Sequence, residues 1–246
     1  TSSSPSAHDG LEFWWNQYLT KGFKNEERLF CVKAIYGYFR LSVIQAPDHR
    51  LFDFALLTRR SVYRAGTRYF RRGIDDEGHV ANFNETEQFI VANKYVNEVK
   101  PTTHVYLFLQ IRGSVPVFWA QINNLKYQPN LRISLKSSAD ATAKHYTEVT
   151  DRYGDVVCVN LVDQKGYEKP VKEAFEHAVE GLPANLLKKV KYIYFDYHHE
   201  CRGLRWDRIE LLLKHLIELG YTSDEYFEYD LTNQKVLQTQ KKIVRT

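Results

Sequence analysis

The chain has 246 residues, a formal net charge of +4 and a 43% share of hydrophobic residues. That length fits one large domain or two small ones, and the hydrophobic share is too high for a disordered protein. The net charge is too small for a protein that coats nucleic acid with its whole surface. No apolar stretch approaches the roughly 20 residues of a membrane-spanning helix, so we expect a soluble chain without a transmembrane segment.

The first half of the sequence has the composition of an antiparallel sheet, because β-branched and aromatic residues recur between turn signals. A short helix with an aromatic face is predicted over residues 11–19. Strands are predicted over 30–44, 52–63, 106–111 and 115–122, and a hairpin joins 67–74 to 80–92 through an Asp-Asp-Glu-Gly turn.

The second half alternates continuous apolar runs with helical periodicity. Strands are predicted over 156–162, 190–197, 226–231 and 235–244, and helices over 138–150, 170–181 and 204–219. This alternation predicts an α/β (α+β) fold with a central mixed β-sheet and flanking helices. We treat residues 1–25 as a linker and entry helix, and residues 26–246 as one domain that is part of a larger one.

Six arginines lie within residues 59–72, and no acid interrupts them. Guanidinium groups remain charged and bind phosphate or carboxylate oxygens through two parallel hydrogen bonds. If residues 60–64 and 67–72 are strands, alternate arginines share a face, and up to four could converge on one anion. Pairing with structural acids is the alternative, and the candidate acids are Asp75, Asp76, Glu85 and Glu87. Glu85 and Glu87 could also act as an acid–base pair, but opposite six arginines a supporting role is favoured.

The remaining motifs carry weaker signals. The turn Arg112-Gly113-Ser114-Val115-Pro116 could contact an anion through its serine and backbone N–H groups, although a plain turn is favoured. The segment His198-His199-Glu200-Cys201 follows a buried strand, but a zinc site needs three or four converging ligands. We interpret its histidines as partners of Asp196 or anchors of the next helix, and we predict no metal and no cofactor. Three widely spaced cysteines without a C-x-x-C pair favour a reducing compartment.

Taken together and in order, nine short segments resemble the signature of the Sac-domain phosphoinositide phosphatases. They spread over most of residues 12–246 and are specific as a set. They are Arg59-Arg60-Ser61, Arg64-Ala65-Gly66-Thr67-Arg68-Tyr69, Arg71-Arg72-Gly73, Asn82-Phe83-Asn84-Glu85-Thr86-Glu87-Gln88, Arg112-Gly113-Ser114-Val115-Pro116, Asn124-Leu125-Lys126-Tyr127, Asn160-Leu161-Val162, Lys165-Gly166 and Asp196-Tyr197-His198-His199-Glu200-Cys201.

The resemblance implies phosphate-ester hydrolysis through a cysteinyl-phosphate, formed by the cysteine of a C-x5-R loop. In the family that loop follows the segment matching Val244-Arg245-Thr246, so no catalytic residue is expected within 1–246 and the fragment alone is expected to be inactive. The substrate-binding residues carried over are Arg64, Arg68, Arg71, Arg72, Arg112, Lys126 and His198.

The resemblance is strongest to the fungal endoplasmic reticulum and Golgi branch of the family. It implies phosphatidylinositol 4-phosphate as substrate, and a location on the cytosolic face of those membranes. The implied partners are phosphoinositide headgroups, an anionic membrane surface and a possible protein adaptor. The alternative is a non-catalytic module that binds anionic lipid or protein. A nucleic-acid binder is disfavoured, because most aromatic residues lie in apolar strands.

Overall fold

A computed structural model describes residues 11–23, 30–67, 70–96, 100–122 and 130–246. Within these ranges, nine strands form the main sheet and two form a separate ribbon. The strands are Gly37–Gln45 (β1), Leu51–Arg60 (β2), Asn84–Val96 (β3), Lys100–Arg112 (β4), Trp119–Ile122 (β5), Asn130–Ile133 (β6), Asp155–Asn160 (β7), Val190–Tyr194 (β8), Phe227–Asp230 (β9), Lys235–Gln238 (β10) and Lys242–Arg245 (β11). The helices are Gln17–Thr20 (α1), Ala139–Tyr153 (α2), Lys169–Glu180 (α3), Ala184–Lys189 (α4), Tyr197–Glu200 (α5) and Ile209–Glu218 (α6).

The main sheet is mixed, and its order is β1-β2-β3-β4-β11-β7-β8. The first four strands form an antiparallel meander, in which each strand pairs with the next one along the chain. Strand β11 then pairs in parallel with both β4 and β7, and β8 pairs in parallel with β7. Strand β9 pairs antiparallel with residues 104–107 of β4 and with β10. The predicted mixed sheet with flanking helices is confirmed.

Helices cover both faces of the parallel part of the sheet. On one face, Tyr146 of α2, Phe175 of α3 and Leu186 of α4 belong to a core cluster with Val156 of β7 and Ile243 of β11. On the other face, α6 places Leu216 in a smaller cluster with residues 157, 159 and 193. Successive strand residues point to opposite faces, so an uninterrupted apolar run such as β7 supplies both clusters.

The predicted strand over residues 67–74 is wrong. Strand β2 ends at Arg60, and the described residues from 61 to 74 form a loop whose one bridge joins Ile74 to Val80. Arg64 has a left-handed backbone with φ of 45°. Polar side chains stabilise this loop in place of a strand ladder, since Asn82 accepts hydrogen bonds from the Gly66 N–H and from Arg60. The inference that alternate arginines share a strand face therefore fails.

Other predicted boundaries move by several residues. The first strand begins at residue 37 rather than 30, and the predicted strand over 115–122 begins at residue 119 and belongs to the ribbon. The last predicted helix begins at residue 209, because Gly203 and Leu204 adopt left-handed φ angles of 72° and 63°. Among the described residues no helix is long and apolar enough to cross a membrane.

The position of β11 inside the sheet makes its apolar residue a sensitive stability probe. Ile243 is 1% exposed, whereas Ile217 of α6 is 62% exposed. We expect Ile243→Ala to lower the free energy of unfolding by about 2–5 kcal/mol, because it removes buried methyl groups and leaves a cavity. The matched Ile217→Ala should change it by no more than about 0.5 kcal/mol. Urea unfolding followed by circular dichroism measures both, and equal losses would contradict this packing of β11.

Candidate anion-binding site

A cavity of about 670 Å³ opens at the carboxyl ends of β4, β7 and β11. Parallel pairing brings these ends to one edge of the sheet, where ligand sites of α/β proteins form. The sheet ladder continues to the end of the chain, since the Thr246 N–H donates to the Ile111 carbonyl and the Gly113 N–H donates to the Thr246 carbonyl. The cavity-lining residues with charged side chains are Arg72, Arg112, Arg245 and Glu168. Three guanidiniums against one carboxylate give the cavity a positive field.

Arg245 is the buried member of this set, with 2% of its surface exposed. Its guanidinium donates to the Ser114 carbonyl at 2.8 Å and to His145 Nε2 at 3.3 Å, and it lies 5.9 Å from the centre of the Tyr146 ring. Within the described part of the chain, Arg245 forms no ion pair with Asp or Glu. A buried cation with only neutral partners is costly, and an anion in the adjoining cavity would offset that cost.

His145 is held neutral beside Arg245. Its Nδ1 lies 3.1 Å from the Gly78 carbonyl and therefore carries the proton, which leaves Nε2 to accept from Arg245. Burial lowers the pKa of His145 well below its usual range, and the charge of Arg245 lowers it further. The imidazole consequently acts as a hydrogen-bond acceptor that orients Arg245 without adding charge.

Arg72 and Arg112 reach the cavity from two different elements. Arg72 lies in the loop after β2, donates from Nε to Gln121 Oε1 at 2.7 Å and lies 5.3 Å from the centre of the Trp119 ring. Arg112 ends β4 and is exposed. The loop is fixed close to β4, because the Gly73 N–H donates to Ser114 Oγ at 2.8 Å. A Cβ at Gly73 would lie 2.6 Å from the Val117 carbonyl oxygen, so only glycine fits this approach.

The other sequence-predicted residues do not join these two. Arg64 donates to the Arg72 carbonyl at 2.8 Å and so supports the loop from within. Arg71 is exposed and packs against Gly66. His198 lies 2.7 Å from Asp163 Oδ1, with its side chain 75% exposed, and it does not line the cavity. The two remaining candidates, Arg68 and Lys126, lie outside the described residues.

Of the four acids predicted to support the arginine run, Glu85 and Glu87 pair with Arg59, away from the cavity. Asp75 instead contacts His79, and Asp76 pairs with Lys136. Glu85, 3% exposed, pairs with Arg59 at 2.8 Å and with Arg152 at 2.9 Å, and it also accepts from Tyr153. Arg152 pairs in turn with Glu12 at 2.7 Å. This network ties the amino-terminal segment to α2 and β3, so we assign Arg59 and Glu85 a structural role.

None of the three cysteines lines the cavity. Cys158 lies on β7 beneath the sheet edge, donates its S–H to the Tyr146 hydroxyl at 3.2 Å and is fully buried. Burial raises the pKa of the Cys158 thiol, which suppresses the thiolate that nucleophilic catalysis requires. Cys158 is therefore a packing residue.

Sequence reasoning missed Arg245 and Asn160 as cavity residues. Asn160 ends β7, is 2% exposed, and donates to the Tyr192 hydroxyl at 2.8 Å while its Oδ1 accepts from the Val162 N–H at 3.1 Å. One signal was present for both: each is a polar residue directly after an apolar run that forms a buried strand.

Comparisons with known proteins point in one direction. Residues 1–202 match the SacI homology domain family. The chain is 45% identical to phosphatidylinositol-3-phosphatase SAC1 of Saccharomyces cerevisiae, over 95% of the chain and 38% of the yeast protein. It is 40% identical to phosphatidylinositol-3-phosphatase SAC1-B of Danio rerio, over 84% and 34%, and 34% identical to phosphoinositide phosphatase SAC6 of Arabidopsis thaliana, over 95% and 37%. The chain thus spans well under half the length of these relatives.

The buried acids of the network predict a pH dependence of stability. Burial raises the pKa of Glu12 above its ordinary 4.5, against the opposing effects of Ser61 and Arg152. Because the pKa of Glu12 is higher in the folded state than in the unfolded state, protonation of Glu12 stabilises the folded protein. This contribution is complete below pH 4.5 and is lost as the pH rises through the folded-state pKa. Each pKa unit corresponds to about 1.4 kcal/mol. Glu12→Gln should therefore gain stability relative to the wild type as the pH rises from 4.5 to about 7.

Urea unfolding over that pH range measures the difference between the two proteins. The exposed Glu180→Gln on α3 is the matched control, and its stability should stay parallel to that of the wild type. A constant difference between Glu12→Gln and wild type across the range would contradict the raised pKa.

Proposed function

The chain belongs to the SacI homology domain family, and we propose that it forms the phosphate-receiving part of a phosphoinositide phosphatase. The proposed substrates are phosphatidylinositol monophosphates. The resemblance of the sequence favours the 4-phosphate, and the names of the yeast and zebrafish relatives specify the 3-phosphate. Both are esters of one phosphate on an inositol ring, so the same receptor chemistry applies to either.

The observation that carries the proposal is the charge of the cavity at the sheet edge. Three guanidiniums from three separate elements line the cavity, together with one carboxylate. The buried guanidinium, that of Arg245, has neutral partners. A phosphate monoester carries close to two negative charges and several acceptor oxygens at neutral pH, which matches this set of donors. Preorganised donors of this kind also stabilise the charge that develops during phosphoryl transfer.

The proposed reaction uses a cysteine thiolate of the catalytic loop that the family places after the segment matching Val244-Arg245-Thr246. The sulfur forms a bond to phosphorus while the ester bond to the inositol oxygen breaks. Water then attacks the cysteinyl-phosphate and releases inorganic phosphate and the thiolate. The positive field of Arg72, Arg112 and Arg245 would lower the pKa of that thiol and receive the non-bridging phosphate oxygens.

Binding without catalysis is the second candidate function. It is favoured by one observation, namely that the three cysteines of the chain lie away from the cavity. On this proposal the same arginines bind an anionic lipid headgroup and no bond is broken. Measurements of phosphate release and of headgroup binding on one protein separate the two candidates.

The proposed location follows from the substrate and from the resemblance. A phosphoinositide resides in a bilayer, so the protein works at an anionic membrane surface, and the resemblance indicates the cytosolic face of endoplasmic reticulum and Golgi membranes. A protein adaptor is the further partner implied by the resemblance.

Arg112 offers the sharpest test, because its exposure makes a folding defect improbable on substitution. In a protein of the relatives' full length that carries this chain, we expect Arg112→Gln to lower kcat/KM about tenfold to a hundredfold, since a cationic donor to the phosphate is lost. Phosphate release from short-chain phosphatidylinositol 4-phosphate and 3-phosphate measures it. Arg40→Gln, an exposed arginine on β1, should retain wild-type activity.

If the Arg112→Gln protein released phosphate at the wild-type rate, the cavity would not be the substrate-binding site. Headgroup binding without any phosphate release from the wild-type protein would select the binding-only function.

A further inference from the structure

A short loop beyond β8 exposes apolar and cationic side chains together. Residues 202–207, here called the 202–207 loop, are all exposed, with Leu204 at 75% and Trp206 at 53%. Two arginines, Arg202 and Arg205, flank Leu204 in the sequence. Isolated apolar residues are ordinary on protein surfaces. In this loop an exposed leucine and an exposed tryptophan lie among two arginines and one acid, Asp207.

The backbone of the loop fixes this exposure. Gly203 and Leu204 adopt successive left-handed conformations, a state that leucine rarely takes, and the turn directs Leu204 away from the core. The Trp206 N–H donates to the Leu204 carbonyl at 2.8 Å, and Arg205 Nε donates to the Arg202 carbonyl at 3.3 Å. Directly after the loop, Arg208 forms an ion pair with Glu200 at 2.8 Å, and this pair anchors the loop to α5.

The loop lies at the same sheet edge as the cavity. Strands β7 and β8 are parallel, so the segments after them emerge side by side. The contacts confirm this proximity: Asp163, next to the cavity-lining Val162, contacts His198 at 2.7 Å, and the Gln164 N–H donates to Asp196 at 3.2 Å. The ring centres of Tyr197 and Trp206 are 6.2 Å apart, which extends the contacts to the loop.

These features match the chemistry of an anionic lipid surface. Tryptophan favours the headgroup level of bilayers, and each arginine near an anionic surface contributes about 1 kcal/mol of binding. Leucine inserts among acyl chains, while an arginine stem lies along the apolar surface with its charge at the headgroups. Apolar burial combined with charge attraction is what reversible membrane attachment requires.

We propose that the 202–207 loop docks the protein onto anionic membranes, with Leu204 and Trp206 inserted and Arg202 and Arg205 at the lipid phosphates. The choice of a membrane over a protein partner rests on the proposed function. A phosphoinositide headgroup enters the cavity while its acyl chains stay in the bilayer, so the surface beside the cavity faces lipid. A protein covering that edge would obstruct the substrate.

The binding experiment uses the 246-residue chain and sedimentation with vesicles of phosphatidylcholine, with and without phosphatidylserine. Phosphatidylserine presents anionic charge without an inositol phosphate, so the cavity is not engaged. We expect binding to the phosphatidylserine vesicles, and a decrease of about 30-fold in partition coefficient for the double variant Arg202→Gln/Arg205→Gln, since two charges contribute about 1 kcal/mol each. The double variant Leu204→Ser/Trp206→Ser should lose about tenfold or more.

Two matched control variants test whether substitution of any exposed arginine or leucine reduces vesicle binding to the same extent. Arg40 on β1 and Leu237 on β10 are exposed and lie on other parts of the sheet. Arg40→Gln and Leu237→Ser should bind within about twofold of the wild type, as expected for charges and apolar groups outside the contact. Brominated phosphatidylcholine in the anionic vesicles should quench the fluorescence of Trp206, and Trp206→Phe should abolish that part of the quenching.

An activity experiment in a protein of the relatives' full length separates failure of docking from failure of the proposed function. The loop variants should lower phosphate release from phosphoinositide in vesicles and leave kcat/KM on the short-chain soluble lipid unchanged, whereas Arg112→Gln lowers both. Wild-type vesicle binding by both double variants would overturn the docking proposal. Vesicle binding that depends on the loop, in a protein that releases no phosphate, would support docking and reject the phosphatase.

Discussion

Strand β11 lies between β4 and β7 and pairs in parallel with both, and the geometry of the cavity depends on that placement. The carboxyl ends of β4, β7 and β11 lie at one edge of the sheet, because β11 pairs with the last strand of the antiparallel meander on one side and with the parallel strands on the other. Strand β9 occupies the same side of β4 at residues 104–107, so β11 fits only beyond it, where Val244 and Arg245 pair with Gln110 and Ile111. This register brings the side chain of Arg245 next to Ser114 and His145.

The structure divides the arginines into two groups according to the acids within reach. Arg59 and Arg152 contact the buried Glu85, and the resulting ion pairs stabilise packing and leave little field beyond them. Arg245, by contrast, has neutral hydrogen-bond partners among the described residues. The same guanidinium chemistry thus stabilises packing in one region and leaves a positive charge beside the cavity in the other. Local concentration of arginine in a sequence does not distinguish these roles, whereas the distribution of carboxylates in space does.

Sequence patterns predicted β7, β8 and the helices of the parallel half, but they predicted a strand for the arginine loop and merged β10 and β11 into one strand over 235–244. Strand β7 and helix α3 have apolar periodicities that follow directly from burial on two faces or on one. The segment from residue 61 to 74 has strand-like composition, but its described residues form a loop. That loop depends on hydrogen bonds that the Gly66 and Gly73 N–H groups donate to Asn82 and Ser114, which are distant in sequence. The sequence marks Arg245 only as a polar residue after an apolar run, and its place beside the cavity depends on a long-range parallel pairing. Cationic density and a turn motif are visible locally and point to Arg72 and Arg112, although Arg72 lies in a loop and not on the predicted strand.

The neutral partners of Arg245 explain how a buried cation can act on an anion. A carboxylate in contact with Arg245 would stabilise the guanidinium and cancel its field at the cavity. A backbone carbonyl, an imidazole and an aromatic ring supply orientation and partial solvation instead, and they leave the full charge. The lowered pKa of His145 keeps that imidazole an acceptor at neutral pH, so Arg245 remains oriented without a second positive charge beside it. The fold therefore already includes the desolvation cost of the buried guanidinium, and an anion bound in the cavity would offset that cost. A charge oriented in advance would also stabilise negative charge that develops in a transition state more effectively than water does.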